Sequence, residues 1–148
     1  SALTIRWAFL SLLHRMATPF LTQAVPSWIA NTYFRAMGCT IGSGAQITSA
    51  HINDCFMVSI GDDAVIGGGA TINGHVVELG ELVLAPVRVG AGAIIGARCT
   101  IMPGCVIGDG AVIAGHAILT KFSEVPPGEI WGGVPAKCIR RADGSKPE

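Results

Sequence analysis

The stretch VRVGAGAIIGARCTIMPGCVIGDGAVIAGHAILT, Val87 to Thr120, returns an aliphatic residue every six positions: Val89, Ile95, Ile101, Ile107, Ile113 and Leu119. Neither the helical period of 3.6 nor the strand period of 2 sustains such a recurrence, whereas a solenoid with flat sides six residues long does. Three sides make one triangular coil. Each side turns one large aliphatic residue inward, bends at the small residue after it, and turns a second small residue inward four places on. Gly90, Gly96, Gly108 and Ala114 take the bend position, with Met102 the exception, and Ala93, Cys99, Cys105, Ala111 and Ala117 take the second inward position.

The same phase runs upstream through Ile41, Ile47, Ile60, Ile66 and Ile72, so the repeat covers roughly Cys39 to Phe122. Two intervals break it, thirteen residues from Ile47 to Ile60 and seventeen from Ile72 to Val89. Neither is a multiple of six, so the chain must bulge or loop out at SAHINDCF and at NGHVVELGELVLAPVR. Interruptions of a regular solenoid are where function is usually placed.

The flanks divide the chain into an apolar helical segment at 1–38, the solenoid at 39–122 with its loop near 73–88, and a closing loop with a C-terminal helix and tail at 123–148. Between Arg15 and Arg35, MATPFLTQAVPSWIANTYF is uncharged, but Pro19, Pro26 and its polar residues argue against one continuous membrane-crossing helix. With RWAFLSLLHR before it, it reads as two short amphipathic helices broken near the prolines. Residues 3–34 then lie on a membrane surface or on a partner, or simply cap the main domain. The chain begins with Ser rather than Met, as is expected of a piece of something longer, and no cleavable signal pattern is evident.

With 148 residues, half of them apolar, one sizeable core is expected. Ten Lys plus Arg balance ten Asp plus Glu without a basic cluster, which argues against nucleic acid as a partner. Five cysteines with no CxxC pair suggest neither a zinc site nor a disulfide framework, and a reducing, cytoplasmic setting fits them.

These repeats resemble the hexapeptide-repeat, left-handed parallel β-helix superfamily, over about two thirds of the chain. The resemblance implies an all-β solenoid wound left-handed, against the usual crossover rule. It also implies homotrimeric assembly with active sites between subunits, and acyltransferase chemistry on an acyl-CoA or a phosphopantetheine-carried thioester. The tail EVPPGEIWGGVPAKCIR looks like the family's closing segment, with Gly-x-Pro-Ala-Lys at Gly133 to Lys137 and a short helix expected from about Ala136. Four segments, YFRAMGCTIG, AHINDCFMVSIGDDAVI, GHVVE and EIWGGVPAK, together resemble the C-terminal hexapeptide domains of ε-poly-lysine-synthetase-like non-ribosomal peptide synthetases. In those enzymes membrane segments alternate with such domains, which implies a pseudo-trimer of sister domains as another form of assembly. Those domains carry Arg and Lys after the His and Glu, whereas HVVELGELVLAPVR offers no basic residue before Arg88.

Acyl transfer from a thioester needs a base for the nucleophile's proton and donors for the oxyanion. His75, at the start of the longer interruption, matches the family's catalytic His and is the expected general base. Its second nitrogen must be held to fix the tautomer, by Glu78 or by a backbone carbonyl. The backbone amides of Gly92 or Gly110 are candidates for the thioester carbonyl or the pantetheine arm, and Lys137 for a CoA phosphate. Asn73, Asp62 and Asp63 are candidate substrate contacts. Each also has a plain structural reading: corner glycines, a rung-closing Asn, solvated bend carboxylates and a solvated lysine. Trp131 reads as an anchor for the closing loop, and Cys99 and Cys105 as packing.

No metal is expected. The γ-class carbonic anhydrases resemble this chain in fold and in a closing WGGxPAK, but His51, His75 and His116 lie 24 and 41 residues apart, unlike that class's two close histidines and one distant. The leading reading is a thioester-dependent acyl or aminoacyl transferase. The alternative is a non-catalytic trimerisation scaffold, which the missing basic residues favour and GHVVE opposes.

Overall fold

The computed structural model describes residues 1–148. The aliphatic positions fall onto three parallel sheets as the six-residue period requires. Ile41, Ile60, Val89, Ile107 and Val125 stack on one side, Ile47, Ile66, Ile95, Ile113 and Trp131 on the second, and Ile72, Ile101 and Leu119 on the third. Ile47, Ile66, Ile72, Ile95, Ile101, Ile113 and Leu119 are fully buried, as are Ala64, Ala70, Ala93, Cys105, Ala111 and Ala117 between them. The core is thus a column of large and small side chains that interdigitate from coil to coil.

The bend glycines answer to close approach. A Cβ on Gly96 would meet the backbone nitrogen of Gly115 at 2.6 Å, and one on Gly108 that of Pro127 at 2.5 Å. A side chain there would push successive coils apart, which explains the glycine at these bends.

The solenoid runs further than the sequence period suggests. Glu124–Val125 and Ile130–Gly132 add two sides beyond Phe122, and Trp131 replaces the aliphatic as the last inward residue. The helix expected from Ala136 is absent. Lys137–Arg140 is a strand, antiparallel to Ile130–Gly132. The last coil leaves a sheet edge open, and pairing satisfies it, whereas the few residues before Asp143-Gly144 are too short for an isolated helix.

The N-terminal segment differs in a similar way. Helix α1 runs Ala2–Ala24 with Pro19 inside it, and α2 runs Trp28–Ala36. Only Pro26 breaks the segment: Val25 before it is extended, as residues preceding proline tend to be, and the Ser27 hydroxyl accepts from Ala30 N to cap α2. At Pro19 the helix continues, with the Thr18 and Thr22 hydroxyls donating to the carbonyls of His14 and Thr18. No helix is long and apolar enough to cross a membrane.

His14 fastens α1 to the solenoid. It is buried, its Nε2 lies 3.0 Å from the Ala50 carbonyl and its Nδ1 3.1 Å from the Tyr33 hydroxyl. A carbonyl can only accept, so Nε2 carries the proton and Nδ1 accepts from Tyr33. Burial lowers the His14 pKa below its ordinary 6.5, outweighing the Ala50 bond. The folded state therefore holds fewer protons than the unfolded chain just below pH 6.5, so this stability is complete above that value and is lost as pH falls from there through the lower folded pKa. The expected result is a melting temperature that drops between pH 7 and pH 5, with a shallower drop in His14→Gln, read by circular dichroism.

Candidate active site

Both interruptions leave from the third side of successive coils, so they emerge one above the other. In the first, the register slips by one: Ile52 takes the inward place and bridges to Ile72, while His51, which strict counting turns inward, is exposed. Ser49 stabilises the slip, donating to the Ala70 carbonyl and accepting from His51 N. Asp54 then turns into the left-handed region (φ 61°) ahead of a short 3-10 turn at Cys55–Met57. The second interruption is a hairpin, His75–Glu78 against Glu81–Leu84, whose turn holds Leu79 and Gly80 at positive φ.

The two excursions meet at Gly74. A Cβ there would stand 2.8 Å from Met57 Cβ and 3.0 Å from Asp54 Cβ, so glycine is what lets them touch. The result is a close pair, His75 Nδ1 and Asp54 Oδ2 at 2.6 Å, with Asp54 only 1% exposed and His75 30% exposed. Gly74 N also donates to Asp54 Oδ2 at 3.0 Å, and Trp7 Nε1 of α1 donates to Oδ1 at 2.8 Å. Because a carboxylate accepts, the neutral imidazole carries its proton on Nδ1 and its lone pair on Nε2. A cavity of about 440 Å³ opens beside this pair, between α1 and the two excursions; Trp7, Ser11, His14, Arg15, Asn53 and Val77 are among its walls.

Several sequence candidates are placed elsewhere. Glu78 does not hold His75: its carboxylate is exposed and pairs with Lys121 across the hairpin's flank. It lies three residues along a strand, where the side chain turns to the opposite face from His75. Asn73 is committed to a ladder, its Oδ1 accepting from Asn53 Nδ2 at 2.8 Å, and it is Asn53 that lines the cavity. Asp62 and Asp63 are corner residues; Asp62 Oδ1 accepts from Ser43 N at 2.7 Å, as Asp109 Oδ1 does from Ala91 N one coil pair on. The amides of Gly92 and Gly110 are spent on coil stacking, donating to the carbonyls of Asp62 and Ala91 at 2.8 Å, so neither is free for an oxyanion. Lys137 is exposed in the closing strand opposite Gly132 and outside the cavity walls.

His116 is an exposed corner residue at φ 61°, and no three His, Cys, Asp or Glu side chains converge as metal ligands. Cys99 and Cys105 donate their thiols to the carbonyls of Ala114 and Thr120, and burial raises both pKa values, which leaves them unreactive. Trp131 Nε1 donates to Glu129 Oε2, closing the end of the solenoid.

Asp54 and Trp7 are the residues that sequence reasoning missed. The signal was the pair of gaps itself: both leave the same side of adjacent coils, so an acidic residue in the first is a natural partner for a histidine opening the second. Nothing in the sequence aims Trp7, because its contact depends on how α1 packs.

Comparison with known proteins agrees with the repeat and the fold. Residues 86–121 match the family described as bacterial transferase hexapeptide (six repeats), and residues 57–82 the hexapeptide repeat of succinyl-transferase. A δ-poly-L-ornithine synthetase of Acinetobacter baumannii is 28% identical over 138 residues, which is 93% of this chain but 10% of that protein. The chain thus spans about a tenth of that relative's length. Among solved structures, a hexapeptide-repeat-containing acetyltransferase of Vibrio cholerae aligns with a TM-score of 0.71 at 18% identity, over 92% of both chains. A galactoside acetyltransferase in complex with coenzyme A aligns with a TM-score of 0.67 at 23% identity, over 92% of this chain and 82% of that one. The chain thus carries hexapeptide repeats over residues 57–82 and 86–121 and shares the fold of solved hexapeptide-repeat acetyltransferases.

Proposed function

We propose that the chain is an acyltransferase that moves an acyl or aminoacyl group from a thioester to an amine, with His75 as general base and Asp54 as its orienting carboxylate. The observation that carries this is the buried Asp54 accepting from His75 Nδ1, which leaves Nε2 basic beside a cavity. In the reaction the acceptor nitrogen attacks the thioester carbonyl while Nε2 takes its proton. The tetrahedral intermediate then collapses, the C–S bond breaks, and the imidazolium returns the proton to the departing thiolate. Asp54 stabilises the imidazolium in between.

The acceptor in this reading carries a carboxylate. Arg15 lines the cavity and enters neither of the chain's two ion pairs, whereas the negative charge of Asp54 is already met by three donors. A guanidinium on the wall therefore suits an anionic group on the substrate. The relation to a poly-ornithine synthetase supports an amide-forming domain of such an enzyme, with an acyl-CoA or a phosphopantetheine-carried thioester as donor. Assembly as a homotrimer, or a pseudo-trimer with sister domains, is supported by the hairpin, whose Val77 and Leu79 are 63% and 104% exposed and offer an apolar tip to a neighbour. Seating on a membrane surface is supported by the outward stripe of Ile5, Phe9, Met16 and Phe20 on α1, all exposed.

The test is thiol release from acetyl-CoA, longer acyl-CoAs and aminoacyl-pantetheine thioesters, with ornithine or putrescine as acceptor. These two amines differ only in the carboxylate. Release should depend on the acceptor and favour ornithine, and Arg15→Gln should erase about a 10-fold preference, the worth of a modest charged hydrogen bond. No release from any donor, with the chain folded, would leave the scaffold reading in its place.

A further inference from the structure

α1 places an indole against the His75–Asp54 pair. Trp7 Nε1 donates to Asp54 Oδ1 at 2.8 Å, and its ring meets His75 edge-on with centroids 4.9 Å apart. The carboxylate's donors are divided unequally: Gly74 N and His75 Nδ1 share Oδ2, and Trp7 alone holds Oδ1. With Asp54 buried, no water substitutes easily for a lost donor on that side.

We propose that Trp7 is a positioning residue for transfer, acting on His75 through Asp54, so that the seating of α1 sets the strength of the base. By pinning Oδ1 it fixes the plane of the carboxylate and keeps Oδ2 aimed at His75 Nδ1. It also draws part of the negative charge away from the imidazole. Without the indole N–H that charge concentrates on Oδ2 and favours the imidazolium, so the proton leaves His75 only at higher pH. The other charged or titratable groups around His75 are His14 and Arg15 of α1, on the same cavity wall, and Glu78 on its own strand, which pairs with Lys121. None of them contacts the Trp7 nitrogen. The proposal rests on His75 being the base, and makes the N-terminal helix part of the active site.

Trp7→Phe keeps an aromatic edge and removes the donor. The expected result is a kcat lower by about 10-fold or more, the worth of a hydrogen bond to a charged group. KM for the thioester should be unchanged, and the acidic limb of the kcat/KM profile should move to higher pH. Nitrogen-15 titration of His75 should move the same way. In an Asp54→Ala background the substitution should have no further effect. If Trp7→Phe folds poorly, benzothienylalanine at position 7, the sulfur isostere of tryptophan, removes the N–H alone. An unmoved His75 titration, or losses that multiply with Asp54→Ala, would overturn the proposal. The titration needs no substrate, so a shifted His75 in a protein that transfers nothing would count against the transferase reading and leave the Trp7 link standing.

Discussion

His75→Ala is expected to remove acceptor-dependent thiol release, by about 10²- to 10⁴-fold, the usual contribution of a positioned general base. The loss should fall on kcat, because the imidazole accepts a proton in the transition state and the cavity walls that bind the acceptor are untouched. Folding should change little: His75 lies on the hairpin, outside the buried column of the solenoid. A control melt within a few degrees of the parent, with activity gone, separates chemistry from stability. Equal rates in variant and parent would show that the histidine is a bystander.

Asp54→Asn is the second large effect. The amide that replaces the carboxylate presents either an oxygen or an NH₂ to His75, and the NH₂ forces the imidazole to carry its proton on Nε2, where it is no longer a base. With that tautomer favoured, kcat should fall by about 10²-fold or more. Some stability should be lost as well, because Asp54 also accepts from Trp7 and Gly74 N, and one amide oxygen cannot serve both. Glu78→Gln is the matching contrast. Its partner Lys121 is 45% exposed and the pair lies on the surface, so rate and stability should stay within a few-fold of the parent. Loss on Glu78→Gln with retention on Asp54→Asn would return the orienting role to the residue that sequence spacing suggested.

The contrast between Glu78 and Asp54 shows how far the sequence carries. The solenoid was legible because its period is a property of the chain: each inward Ile and each bend glycine is repeated by coil geometry, and the close approach at Gly96 leaves no choice of residue. The end of the repeat was less legible, since Val125 and Trp131 keep the phase while Pro126 and Pro127 disguise it. His75 could be found because it opens an interruption. Its partner could not be found from nearness in sequence, since a residue 21 positions earlier is one coil below and therefore nearer in space than a residue three positions on. The corner readings of Asp62, Gly92 and Gly110 were legible, but the hydrogen bonds that commit them run between coils and leave no local pattern. The inward contact of Trp7 depends on the crossing of α1 over the solenoid, which no local pattern encodes.

In the proposed reaction His75 Nε2 takes a proton from an acceptor bound in the α1 cavity. A crystal structure with a non-cleavable thioether analogue of the acyl-CoA and with ornithine tests it most directly. The expected complex has an acceptor nitrogen within about 2.6–3.2 Å of His75 Nε2, its carboxylate on Arg15 and Asp54 still holding Nδ1. An acceptor bound away from His75, with Nε2 facing solvent, would contradict it.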